Sequence, residues 1–102
     1  MHPTKPAAEM TRDELAAYID YSILKPEFTT ADVEREVRAA VDLRCKTVCI
    51  NPAHIETALP LVAGTDTGIC VVIDFPFGAS STRSKVAQAE IALEHPIEDL
   101  DI

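Results

Sequence analysis

In alternating β/α chains, chemistry concentrates where strands end, so the polar residues expected there are weighed first. They are Asp20, Ser22 and Lys25 in "IDYSILKP", Cys49 and Asn51 in "TVCINP", Asp74 in "VVIDFPFG" and Asp101 in "EDLDI". Asp20 and Asp101 sit inside apolar, strand-like runs. A carboxylate there is costly unless it is paired, hydrogen-bonded or turned to water. Exposure at a sheet edge is the bland reading, and a buried carboxylate with a specific partner is the other.

Three other constellations are weaker. Cys45, Cys49, His54 and Cys70 hold ligand types for zinc, but structural zinc sites use tighter knuckles than C-x3-C-x4-H. Buried, inert thiols are the simpler reading, and no metal is expected. His54 falls on a helix, and the chain has no G-x-S-x-G elbow for a serine triad. "FGASSTRSK" runs small residues into a helix start, as phosphate loops do, but lacks both nucleotide-loop patterns. A serine-capped helix is the simpler reading, and Arg83 and Lys85 then belong to a solvated face.

The elements that position these residues follow from periodicity and caps. Thr11 and Glu14 form a T-x-x-E capping box for a short helix over 12–17. A first strand is expected over 18–24, with Asp20, Ser22 and Leu24 on one face and Ile19, Tyr21 and Ile23 on the other. Thr29 or Thr30 caps the clearest helix, whose Val33, Val37, Ala40 and Val41 make an apolar stripe. "KTVCINP" is a second strand, with Asn51 and Pro52 suited to open the next helix. Pro60 should break or kink that helix, at a cost of about 3 kcal/mol if truly interior. Ile69 to Ile73 form an unbroken apolar run, which points to a strand buried on both faces. Ser80 or Ser81 caps a last helix, on which Val86, Ala89 and Leu93 share a face. The closing "LDI" reads as a fourth strand. Helix, then β-α-β-α-β-α-β, means a parallel sheet with right-handed crossovers.

Composition bounds the function. The chain has 102 residues, 47% apolar and 25% charged, which suits one small domain. Nine basic against 17 acidic side chains give a net charge of -8. That argues against non-specific nucleic-acid binding and anchoring to anionic lipid. No apolar run nears the roughly 20 residues of a membrane span. Residues 1–10 read as a flexible leader without a signal-peptide core, and 11–102 as the domain. Three cysteines, an odd count, are expected as reduced thiols in a cytoplasmic protein.

Four segments in order, "IDYSILKPEFT", "TVCINP", "VVIDFPFGASSTRSKVAQAE" and "EDLDI", together resemble the N-terminal half of the deoxyribose-phosphate aldolase family over about residues 13–102. The resemblance implies the first half of a TIM (β/α)8 barrel, with a short N-terminal helix before its parallel βα units. It implies a class I aldolase, a lyase needing no cofactor. Such enzymes cleave 2-deoxy-D-ribose 5-phosphate reversibly to glyceraldehyde 3-phosphate and acetaldehyde through a lysine Schiff base, in deoxyribonucleotide catabolism. Carried over by position, Asp101 takes the proton-relay role, Cys49 lines the substrate pocket, Asp20 and Ser22 hold the first-strand polar positions, and Lys25 matches the lysine of "LLKP". Ser22 replaces the usual threonine. Asp74 replaces a glycine, which is expected to add bulk and charge near the barrel mouth. "EHPIEDLDI" departs from the usual "NGADEIDMV" entry to strand four.

The resemblance places the Schiff-base lysine, its partner lysine and the phosphate loops on strands six to eight. Lys25, Lys46 and Lys85 do not match the nucleophile. The expectation is a partial aldolase, inactive alone, that ends inside its fourth strand. The alternative is a half-barrel interaction module that pairs with a second copy or another half barrel through its open sheet edges. A zinc module is the weakest reading.

Overall fold

The computed structural model describes residues 5–102. A four-residue strand β1 (Asp20–Ile23) follows a short helix α1 (Arg12–Ala16). Then come α2 (Thr30–Leu43), β2 (Thr47–Ile50), α3 (Ile55–Val62), β3 (Gly68–Val72), α4 (Thr82–Ala92) and β4 (Asp99–Asp101). The strands form one parallel sheet in the order β1-β2-β3-β4. Ser22 pairs with Cys49, Cys49 with Cys70, and Cys70 with Asp99, while Val72 pairs with Asp101. Consecutive parallel pairing with a helix between neighbours is half of a (β/α)8 barrel.

Caps set where the helices begin. Thr11 and Glu14 close a capping box on α1, and Thr29 and Asp32 close one on α2. Ser81 caps α4 by accepting from the Ser84 N–H. Arg44 ends α2 in the left-handed region at φ 60°. Asn51 takes the capping position before the 3-10 turn Pro52–His54 in backbone only, without a side-chain hydrogen bond. Pro60 lies inside α3, which stops two residues later at Val62. Pro60 brings no N–H for the Glu56 carbonyl, so the helix ends within a turn.

Period-two alternation splits the strands between two layers. Ile23, Val48, Ile50, Ile69 and Val71 pack outward against Val33, Val37 and Ala40 of α2 and Ile55 and Ala58 of α3. Cys49, Cys70 and Val72, with Leu24, form a smaller cluster on the concave face. The expected double burial of the third strand is therefore present. Thr47 is fully buried, and its hydroxyl donates to Asp20 Oδ1 at 2.7 Å. Tyr21 donates to Glu36 Oε2 at 2.7 Å and ties β1 to α2.

Two expectations need revision, those for the start of the first strand and for the face of the last helix. Tyr18 and Ile19 are not strand; their N–H groups bond Leu15 and Ala16 carbonyls and close the turn after α1. The expected leader lies partly outside the described residues. Within them, Ala7–Glu9 form a 3-10 turn and Lys5 pairs with Glu14 at 2.6 Å. On α4 the expected stripe holds only at Ala89: Val86 is 50% and Leu93 62% exposed, while Ala92 is fully buried. The helix seats small residues, Ala89 and Ala92, against the sheet and turns its larger ones outward. Alanine allows a close approach, and it carries too little hydrophobic signal to mark that face in the sequence.

That orientation has an asymmetric consequence. Ala92→Leu should destabilise the chain by about 1–3 kcal/mol through overpacking. Leu93→Ala should stay within about 0.5 kcal/mol, as surface changes do. Urea unfolding of both variants, compared through their midpoints at constant slope, checks this; the reverse order would restore the original stripe.

Candidate active site on the concave face

Side chains on the concave face come from β1, β2, β3 and β4 in register. Asp20 and Ser22 stand on β1, Thr47 and Cys49 on β2, Cys70 and Val72 on β3, and Asp99 and Asp101 on β4. Cys49 Sγ and Cys70 Sγ are 3.8 Å apart, in hydrogen-bonding contact. A carboxylate oxygen of Asp101 and both sulfurs lie within 4.8 Å of one another. The cysteines are 5% and 3% exposed, whereas Asp101 is open to solvent. Burial pushes the Cys49 thiol up, and Asp101 and Asp20 add like-charge repulsion. Burial, together with the neighbouring Cys49, pushes Cys70 up to about 12.

The sequence-derived residues divide into groups. Cys49 and Asp101 converge. Asp20 is exposed, on the same face, and held by the Thr47 hydroxyl. Lys25 stands apart: its Nζ lies 5.7 Å from the centre of the Phe28 ring. With Tyr21, Ser22, Phe28 and Glu36 it lines a cleft of about 250 Å³ that includes neither Cys49 nor Asp101. Of the four residues weighed against a zinc reading, Cys45 is buried in the outer core and His54 lies in the turn before α3, so only Cys49 and Cys70 meet. Cys70 is the residue that sequence reasoning undervalued, because its partnership with Cys49 exists only through strand register.

Asp74 behaves differently from the expectation of bulk at the mouth. It adopts φ 56°, the left-handed region that favours glycine and that aspartate tolerates best among charged residues. Its carboxylate accepts from the Ser80 N–H at 2.8 Å and the Ser80 hydroxyl at 2.7 Å. Its own N–H donates to Gln88 Oε1 at 3.0 Å. The charge is thus spent on closing the loop before α4, and these bonds hold the Asp74 carboxyl below its usual range.

No family model matches the sequence. Deoxyribose-phosphate aldolases from Natranaerobius thermophilus and Dictyoglomus turgidum are 37% and 42% identical over 93 residues, 91% of this chain and 42% of each relative. The chain is related to the deoxyribose-phosphate aldolases. A solved tetrameric deoxyribose phosphate aldolase from Aeropyrum pernix superimposes with a TM-score of 0.80 and 29% identity, over 88% of this chain and 38% of that one. The chain therefore spans about two-fifths of the length of the aldolases it matches.

Two measurements probe this geometry. Melting temperatures should fall in the order wild type, Asp74→Gly, Asp74→Ala, because glycine removes the backbone strain and alanine keeps it. A lowered carboxyl pKa stabilises above the unfolded value, and that contribution is lost as pH falls through the folded value. The wild-type advantage over Asp74→Gly should therefore shrink on acidification; a pH-independent gap would contradict the Ser80 bonds. Separately, iodoacetamide at neutral pH should label the folded chain far more slowly than the urea-unfolded chain, with Cys70 slower than Cys49.

Proposed function

We propose that this chain forms the β1–β4 half of a class I aldolase site for 2-deoxy-D-ribose 5-phosphate. The carrying observation is the convergence of Asp101 and Cys49 on the concave face of a half barrel whose relatives are deoxyribose-phosphate aldolases. Asp101, exposed at that face, serves as proton acceptor and donor through water, while Cys49 gives a neutral, soft wall to the pocket. Asp20 and Ser22 extend the polar side of the same face. Lys25, if it meets substrate, does so from the neighbouring cleft.

The reaction needs a lysine that this half does not offer. A lysine amine adds to the C1 aldehyde and water leaves, giving an imine. The C3 hydroxyl loses its proton and the C2–C3 bond breaks. The bonding pair moves into the imine, giving an enamine and glyceraldehyde 3-phosphate. Protonation at C2 and hydrolysis release acetaldehyde and the lysine. Most of the described lysines are otherwise engaged. Lys5 pairs with Glu14, Lys46 with Asp99 at 3.4 Å, and Lys25 lies over Phe28. Lys85 lies in the first turn of α4. The nucleophile and the phosphate site come from a complementary half barrel, in the same polypeptide or another.

A specific observation supports pairing of that kind. The sheet order leaves β1 and β4 as edges among the described residues. Parallel barrels exist by closing such edges. The β1 and β4 edges are where the other half docks.

Borohydride reduction in the presence of acetaldehyde, read by mass spectrometry, tests the division of labour. The 102-residue chain alone should carry no stable adduct. Mixed with a β5–β8 half from an aldolase relative, the adduct should appear on that half, and Asp101→Asn should slow deoxyribose 5-phosphate cleavage by about 10²-fold or more. A reduced adduct on any lysine of this chain would overturn the reading.

A further inference from the structure

We propose that Cys49, Cys70 and Asp101 form a binding site for a thiophilic divalent cation of the zinc class, on the concave face of the half barrel. Zinc ligands at a tetrahedral centre, with Zn–S of about 2.3 Å, stand about 3.8 Å apart along a sulfur–sulfur edge. The two Sγ atoms are already at 3.8 Å. The Asp101 oxygen completes a triangle whose sides are all within 4.8 Å, a span that small side-chain rotations bring to bonding distance. Two sulfurs and one oxygen select zinc or cadmium over magnesium or calcium, which take oxygen ligands.

The backbone supplies the preorganisation. Cys49 and Cys70 are direct partners across β2 and β3, and Asp101 pairs with Val72, two residues along the same face. Their placement is therefore fixed by sheet register and not by a loop. Asp20 stands on the same face, two residues before Ser22 and held by the Thr47 hydroxyl at 2.7 Å, so a second carboxylate adds to the negative field that attracts a cation. Lys46, the cation paired with Asp99, is engaged one step lower on the face. Binding forms two metal–sulfur bonds and one metal–oxygen bond. The two thiol protons pass to solvent, and water fills the fourth position.

The site is built from this chain's own residues, so it stands independently of the aldolase reading. If both hold, the metal competes with substrate, since it takes Cys49 and Asp101. Its failure and that of the aldolase reading are distinguishable, because the readout is binding and not turnover.

The test uses the reduced chain and cadmium or zinc ions alone. Cadmium should bind with one ion per chain and produce the ultraviolet sulfur-to-metal charge-transfer band. Cys49→Ser and Cys70→Ser should each weaken binding by more than the roughly 10–100-fold that loss of an outer-shell partner costs. Asp101→Asn should weaken it at least about tenfold, and Cys45→Ser should leave it unchanged. A band that follows Cys45, or that survives both Cys49→Ser and Cys70→Ser, would overturn the proposal, as would absence of binding. Should the serine variants lose their circular-dichroism signal, X-ray absorption on the zinc-loaded wild type decides: a shell with two sulfurs supports the site, and an all-oxygen-and-nitrogen shell rejects it.

Discussion

Register between four parallel strands governs everything else in this chain. Successive residues of a strand point to opposite faces, so one register fixes two surfaces together. Outward, it stacks Ile23, Val48, Ile50, Ile69 and Val71 under α2 and α3. Inward, it lines up Cys49 with Cys70 and sets Asp101 beside Val72. A one-residue slip of β3 would turn Cys70 into the helical layer and Ile69 toward the concave face. The same constraint that builds the core thus also builds the candidate site, and neither can shift without the other.

Elements with strong periodicity or strong caps were legible from the residues. The α2 stripe and the α1 capping box are local patterns, and the apolar run of β3 points to burial on two faces. What was illegible depends on nonlocal geometry. The α4 face is not legible locally because its alanines mark a close helix–sheet approach that only the packed structure reveals. The Asp20 carboxylate gave no sign of its Thr47 partner, 27 positions away in the chain. Cys70 is one more core thiol by local pattern, and only the β2–β3 register sets it beside Cys49.

Asp74 shows how one substitution can be both a departure and a repair. The position demands a left-handed backbone, which explains why glycine suits it. Aspartate meets that demand imperfectly but returns two hydrogen bonds to Ser80 at the head of α4. The loop after β3 is therefore held by side-chain chemistry where glycine would leave it free. Its charge is directed into the loop, so the concave face is left to Asp20, Asp99 and Asp101.

An acidic concave face beside two neutral thiols is electrostatically unfinished. Carboxylates of β1 and β4 share it with buried sulfurs, and Lys46 balances Asp99. A cationic group supplied from outside this half would relieve that field. In the aldolase reading that group is the protonated imine or the lysine beside it, contributed across the closing edges of the barrel. In the metal-binding reading it is a divalent ion. Both answer one physical demand: positive charge facing Asp101 over a floor of soft, neutral sulfur. A lysine carries one charge on a long stem and must be brought in by strand pairing, whereas an ion needs only the two thiol protons to leave. Whether the second half is paired therefore decides which of the two occupies the face.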